Sequence, residues 1–393
     1  MRPRSLFSPL LVRPAKYESD RDRKIREILS QADLLIAEQK YASAYSILRK
    51  GEQDYSEIAT QKEFLDLIYL CGIKGKPVRL RNYYLRDRLV AHNWVISSFD
   101  FSRVRLFASG SWDRTVKLWT IGEDYTVRCD KVLEGHWSGV NVVLFSHDGR
   151  YLLSGSDDCT IILWDVNKGT LLHVYRGHTQ GISCLALSPN GRLFASGSWD
   201  ATVRVWDIES GNCVKVLSGM HTMKVSSVSF VNEFTVFSTD SIRVTWDLRT
   251  GKILHIYRGS PSFNFYTHII KIGGMTIKPP HKKSITAWAL AVSQRFLVSG
   301  SGDGTICLFE LDWEWEFPEP ADWDEGARPY LEIFLKLHTP YGPDGFSLAG
   351  PPQWTEEDFQ KLLYELGLRG FGWLRPEGVR RELEKMAAQK MKP

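Results

Sequence analysis

Between His92 and Phe309 the chain alternates short apolar blocks with clusters of turn residues. Five stretches, "VISSFDF", "VNVVLFS", "ISCLALS", "VSSVSFV" and "ITAWALA", each open such a series. After each come a polar turn, a second block such as "LFASGS", a tight turn such as "WDRT", and a third block such as "VKLW". A fourth block, such as "LLHVYRG", leads into the next copy. The phrase "SGSWDRTVKLW" (109–119) returns as "SGSDDCTIILW" (154–164) and "SGSWDATVRVW" (196–206), so the closing tryptophans stand 45 and then 42 residues apart. The copies open at His92, His136, His178, His221 and His281 and close at Trp119, Trp164, Trp206, Trp246 and Phe309. Four short strands bounded by turns predict one antiparallel sheet per copy. A lone sheet of this length leaves both faces in water, so the copies must pack on one another.

Outside the repeats the period changes. Ile25, Ile28, Leu29, Ala32, Leu35 and Ile36 recur at the three-to-four spacing of an amphipathic helix. A second helix follows through Tyr41, Ala44, Tyr45, Ile47 and Leu48, with Gly51 as its stop. Further helices are expected over 328–338, from Thr355 to Leu366, and over 376–388, where Pro376 suits a first helical turn. The stretch "DWEWEFPEPADWDEGARPY", aromatic, acidic and broken by prolines, reads as a strap across a surface.

The repeats resemble the WD-repeat family. Gly135-His136 and Gly177-His178 are similar to its opening pair, and Trp164-Asp165, Trp206-Asp207 and Trp246-Asp247 to its closing pair. The resemblance implies a mainly β fold: a five-bladed β-propeller with small α-helical N- and C-terminal flanks. It also implies one buried hydrogen-bond chain per blade. These chains would join Trp119, Ser109, His92 and Asp113; Trp164, Ser154, His136 and Asp158; and Trp206, Ser196, His178 and Asp200. Copy four, "FSTDSIRVTW", reads as one residue short across the turn, which would misplace Asp240 for His221. Copy five closes on Phe309, which has no N–H to give, so its chain is incomplete. About 17 extra residues between His221 and His281 fall in 259–281 as an excursion from the rim. Tyr83 to Val90 looks like a fourth strand without its first three, and is expected to complete the last blade and leave no bare sheet edge. The competing picture is an open arc, sealed by oligomerisation or by the flanks. The helical pair at 20–50 is similar to one tetratricopeptide unit through Ala32, Leu35, Tyr41, Ala44 and Leu48. The C-terminal segment resembles those following WD repeats in some bacterial proteins that carry a kinase domain.

Four regions follow from this: a basic tail (1–19), a helical hairpin (20–78), the repeats (79–311) and an acidic strap with a small helical domain (312–393). The net charge is +4 overall, +7 in 79–311 and −6 in 312–393, too dilute in the repeats to argue for nucleic acid. No pair of the six cysteines has metal-ligand spacing; Cys159, Cys184 and Cys307 fall in strand-like runs and read as reduced thiols of a cytoplasmic protein. The basic start, with Ser5 and Ser8, allows an organelle-targeting reading instead. Each copy holds a serine, a histidine and an aspartate, but a set repeated in every unit and closed by tryptophan is structural rather than catalytic. There is no phosphate-binding loop, zinc-protease helix or nucleophile elbow, so neither enzyme activity nor a cofactor or metal is expected. What remains is a surface for other proteins or peptides. By resemblance the binding rim carries Trp94, Trp112, Trp137, Asp157, Trp199 and Lys224. Two alternatives stand beside this scaffold. "WDLR" (Trp246, Asp247, Arg249) matches the tag by which some WD-repeat substrate receptors dock on a cullin–RING ubiquitin ligase. The chain could equally be a regulatory module of a bacterial kinase-type signalling system.

Overall fold

A computed structural model of the protein describes residues 20–55, 58, 61–103, 105–122, 124–232, 234–258, 270–272, 274–291, 295–340 and 350–390. The basic tail therefore lies outside the described residues, as does 259–269 of the excursion. The chain divides into two compact units. One holds 83–311, 328–356 and 381–393; the other holds the N-terminal part to Asn82, with 312–327 and 357–380.

In the first unit each repeat folds as one four-stranded antiparallel sheet. The first sheet comprises Ile96–Arg103, Leu106–Ser111, Thr115–Ile121 and Val127–Glu134. The second runs from Val140–Phe145 through Tyr151–Ser156 and Thr160–Asp165 to Thr170–Arg176. Ile182–Leu187, Leu193–Ser198, Val203–Asp207 and Cys213–Leu217 make the third. Ser227–Asn232, Thr235–Thr239, Ile242–Asp247 and Ile253–Arg258 make the fourth. In the fifth, Ile285–Leu290, Phe296–Ser301 and Thr305–Glu316 are followed at the edge by Lys76–Val90 from the other end of the repeat region. Edge-to-face contact of Tyr83 with Phe309, at 5.9 Å, marks that join.

Register shows how closely the copies repeat. The closing residue pairs with a second-strand apolar residue every time: Trp119 with Phe107, Trp164 with Leu152, Trp206 with Phe194, Trp246 with Val236, Phe309 with Leu297. Second strands such as Leu193–Ser198 are buried along their whole length, because a sheet covers each face. Apolar cores fill the space between consecutive sheets. Val116 and Leu118 meet Val143 and Trp164; Leu163 and Tyr175 meet Ile182 and Trp206; Val203 and Leu217 meet Val228 and Trp246; Phe296 and Leu308 meet Phe101 and Trp119. The first strands lie side by side in the order fifth, first, second, third, fourth. The hairpin Ile270–Ile272 with Met275–Ile277 is a separate two-stranded sheet.

The other unit contains α1 (Asp20–Ala37), α2 (Tyr41–Asp54) and α3 (Lys62–Gly72). Here the sequence-based expectations need three corrections. Gly51 does not stop α2, which runs on to Asp54; a Cβ there would come within 2.9 Å of Ile28, so the glycine lets α1 lie close. The expected strap begins instead as strand, since Thr305–Glu316 continues through Asp312, Trp313 and Trp315, all buried. Third, α3 was not foreseen. The 312–327 segment groups with the N-terminal helices rather than with a C-terminal domain. Arg49 of α2 holds it, giving Asp312 hydrogen bonds of 3.1 and 2.6 Å and the Trp313 carbonyl one of 3.1 Å. Three C-terminal helices, α4 (Arg328–Leu337), α5 (Glu356–Leu366) and α6 (Pro376–Lys390), fall where the periodicity put them.

Candidate functional site

The tight turn after each second strand places the polar residues. In the first sheet Thr115 gives both its N–H and its hydroxyl to Asp113, at 3.0 and 2.6 Å, while Arg114 between them takes a φ of 75°. Cys159 (φ 68°) and Ala201 (φ 60°) hold the same position, so Cys159 stands in the turn and not in the strand. Asp113, so fixed, lies 2.9 Å from His92 Nδ1; His92 Nε2 is 2.7 Å from Ser109 Oγ, which accepts from Trp119 Nε1 at 2.7 Å. Copies two and three repeat the chain with every link at 2.8 Å: Asp158, His136, Ser154 and Trp164, then Asp200, His178, Ser196 and Trp206. The indole can only donate. The serine therefore accepts from it and donates to Nε2, which leaves the histidine neutral with its proton on Nδ1, facing the carboxylate.

Electrostatics agree with that assignment. Burial holds the His92 and His178 pKa values below the ordinary 6.5, against the upward pull of Asp113 and Asp200. Burial alone would raise Asp200, but Thr202, the Thr179 N–H and His178 bring it down to about 2. Asp113 and Asp158 are held lower still by the same set of donors. Within each chain the indole, serine and Nδ1 protons are all directed at the next member.

Copy four departs where the sequence expectation placed the fault, but by two residues. Ser238, eight positions before Trp246 instead of ten, is the relay serine: it accepts from Trp246 Nε1 at 2.8 Å and lies 2.7 Å from His221 Nε2. The counterparts of Ser198 and Trp199 are missing. Asp240 still comes within 3.0 Å of His221 Nδ1, yet off the bonding direction, and that buried nitrogen has no hydrogen-bond partner. Ile242 stands where the other copies have threonine, so no hydroxyl aims the carboxylate. In copy five, His281 Nδ1 bonds Thr305 Oγ1 at 2.7 Å and reaches Asp303 only through it; Ser299 lacks the indole donor.

Loops at the end of the sheets that carries these turns present the rim residues. Trp137 is 84% exposed, Trp94 59%, Trp199 49% and Trp112 41%, large apolar areas left in water. Three of them make contacts on this surface. Trp94 and Trp112 meet edge to face at 6.3 Å; Trp112 Nε1 donates to Asn141 at 3.2 Å; Asn141 in turn donates to Asp157 at 2.6 Å. Lys224 lies 4.3 Å over the Trp199 ring. The WDxR residues are not presented together: Trp246 is buried, Asp247 accepts from the Arg249 N–H at 3.0 Å, and exposed Arg249 lies over Phe234.

Four segments, 84–120, 127–165, 169–207 and 275–310, match the family model described as WD domain, G-beta repeat. The chain belongs to the WD-repeat family. Copy four lies outside the four matched segments of WD repeat, in keeping with its shortened turn. Among relatives, the small ribosomal subunit protein RACK1y of Oryza sativa subsp. japonica is 43% identical over 65 residues, 16% of this chain and 18% of that protein. The nuclear distribution protein PAC1 of Arthroderma benhamiae is 38% identical over 88 residues, 20% and 18% of the two chains. The guanine nucleotide-binding protein subunit beta of Oryza sativa subsp. japonica is 41% identical over 78 residues, 20% of each. The chain thus matches about a fifth of the length of these WD-repeat relatives. Among the described residues, no helix is long and apolar enough to cross a membrane, and no cluster of three or more histidine, cysteine or acidic side chains could hold a metal ion.

The WD-repeat chains set the acid response. A buried neutral histidine whose pKa is lowered stabilises the fold fully above 6.5, and this is lost as pH falls below it, because the unfolded chain takes up the proton first. The lowered aspartates act likewise below their ordinary 3.8, down to about 2 for Asp200. Asp100 has the opposite sign: burial pushes it up to about 6, despite hydrogen bonds from the Phe145 and Phe101 N–H groups, so protonation below pH 6 restores stability. Melting temperature should be flat above pH 7, decline gently to pH 4 and steeply below. Asp100→Asn removes the opposing contribution and should steepen the decline between pH 6 and 4, as read by fluorescence melting in a pH series.

Proposed function

We propose that the chain is a non-catalytic protein-interaction scaffold whose five sheets are the blades of a propeller and whose rim loops dock proteins or peptides. The observation that carries this is the set of four exposed tryptophans, Trp94, Trp112, Trp137 and Trp199, on loops next to the turns of the buried polar chains, with Trp94 packed on Trp112 and Trp112 bonded to Asn141. Ordered aromatic side chains in water lose little conformational freedom on binding and dominate the energetics of interfaces. Asp157 and Lys224 stand among them and would fix the orientation of a partner. Two of the relatives, a small ribosomal subunit protein and a guanine nucleotide-binding protein subunit, are by name components of assemblies. That is the role proposed here. Six free thiols suit a reducing compartment such as the cytoplasm.

The test is affinity capture with Trp112→Ala/Trp199→Ala. Truncating two interface anchors should weaken recovery of bound partners by roughly 30-fold or more. Both side chains lie at the surface, so melting temperature should stay within about 2 °C of the parent. Unchanged recovery by a folded variant would reject the rim as the binding face.

A further inference from the structure

The seams between neighbouring sheets are built alike in four cases. A polar residue early in one first strand gives a hydrogen bond to a carbonyl of the next. Ser97 bonds the Val140 carbonyl at 2.5 Å, Asn141 that of Ile182 at 2.9 Å, and Thr286 that of Ile96 at 2.5 Å; Ser183 does the same to Val225. Beside each clip a second-strand glycine lets the next sheet come close. A Cβ on Gly110 would stand 2.9 Å from Val140, on Gly155 2.6 Å from Ile182, on Gly197 2.7 Å from Val225, and on Gly300 2.8 Å from Ile96. A side chain at any of these positions would force the sheets apart.

Between the fourth and fifth sheets both devices are missing among the described residues. The shortened turn places Thr239 where the other copies have the glycine, with its β-branched side chain buried. The clip residue there is Ser226, whose hydroxyl bonds only within its own sheet, to the Thr239 carbonyl at 3.0 Å and hydroxyl at 2.9 Å. Ser97, Ser183 and Thr286 also bond a carbonyl of their own sheet but add the bond across the seam. Among the described residues, Ser227–Asn232 and Ile285–Leu290 make no approach comparable to the other four pairs of first strands. The hairpin of Ile270–Ile272 with Met275–Ile277 lies between these two sheets in the chain, and its paired Ile270 and Ile277 are 2% and 0% exposed.

We propose that the ring parts at the seam between the fourth and fifth sheets, and that the Ile270–Ile277 hairpin, not direct sheet-to-sheet packing, fills it. The seam is then the point at which this fold opens first, since its hold depends on a few apolar side chains of one short hairpin. The inference rests on the propeller reading but not on what the rim binds.

The experiment uses the full chain. Ser183→Ala should lower the melting temperature by roughly 2–4 °C more than Ser226→Ala, the shift expected for the one hydrogen bond across a seam that Ser183 loses in addition to its bond within the sheet. In Ile277→Ala, amide hydrogen exchange should quicken at least tenfold in 227–232 and 285–290, and stay unchanged in 140–145 and 182–187. Should Ile277→Ala fail to fold, exchange in the parent decides, with 227–232 expected to exchange at least tenfold faster than 182–187. Equal melting shifts for the two serine variants, or loosening spread evenly over all sheets, would overturn the proposal. Partner capture enters neither measurement, so failure here and failure of the rim reading are told apart.

Discussion

His178→Ala is expected to lower the stability of the repeat unit by about 3–5 kcal/mol. The imidazole is fully enclosed and links Asp200 to Ser196, each at 2.8 Å. Its removal strands a buried serine hydroxyl and a carboxylate, and opens a hole beside Trp206, whose ring centroid is 6.3 Å away. Each stranded group costs about 1–3 kcal/mol, and the cavity adds the lost packing. His281→Ala should cost about half as much. That ring is only partly buried, its Nδ1 meets a threonine instead of a carboxylate, and Ser299 never had an indole to satisfy. Thermal melts at pH 7.5 compare the two, with the fall for His178→Ala expected near 6–15 °C. Equal falls would mean that packing around the imidazole, and not the polar chain, carries the stability.

Asp312→Ala should do comparable damage in the other unit. Asp312 is 2% exposed and faces Arg49, at 9%, through two hydrogen bonds. Taking away the carboxylate leaves a guanidinium in a buried place with Glu52, at 3.0 Å, the Trp313 carbonyl and the face of the Tyr45 ring, at 5.0 Å, to compensate it. Breaking one side of such a pair typically costs about 3–5 kcal/mol, while replacing both partners by apolar residues of similar size can be close to neutral. Arg49→Met/Asp312→Leu should therefore melt higher than Asp312→Ala. If the double variant melts lower, the pair contributes net stability beyond removing its own burial penalty. Circular dichroism at 222 nm follows the loss of helix, to which α1 to α3 contribute together with α4 to α6.

How much of this was legible in the sequence depends on the kind of signal. The sheets and their polar chains could be read because each position recurs every 42 to 45 residues in the first three copies, and less regularly in the last two, so a weak local pattern is confirmed by its copies. Tyr83 to Val90 could be placed in the fifth sheet because a strand without partners and a sheet without an edge are complementary. In contrast α3 does not stand out in the sequence because it is only eleven residues long and Tyr69 and Leu70 make "LIYLC" a short apolar run, which strand and helix share; Phe64, Leu65, Leu67, Ile68 and Cys71, all buried, do recur at helical spacing. The strand nature of 312–316 was hidden by its acids, since Asp312 reads as exposed until Arg49, 263 positions away, is seen beside it. In copy four "FST" looks like the counterpart of "SGS" and hides one of the two missing residues, whereas the register sets Ser238 against Val244.

One consequence follows from the edge strand of the fifth sheet. Residues 83–90 leave the ribosome first among the repeat strands, and their partner, Thr305–Glu316, leaves last. For the whole of that interval an arginine-rich ribbon has no ladder to join, and every later module must assemble while the final register is still unformed. Contacts spanning so much sequence make folding slow and expose intermediates to aggregation. A circular permutant that places 76–90 directly after 316 would turn this last pairing into a hairpin closure during synthesis, and is the form of the chain in which refolding should be fastest.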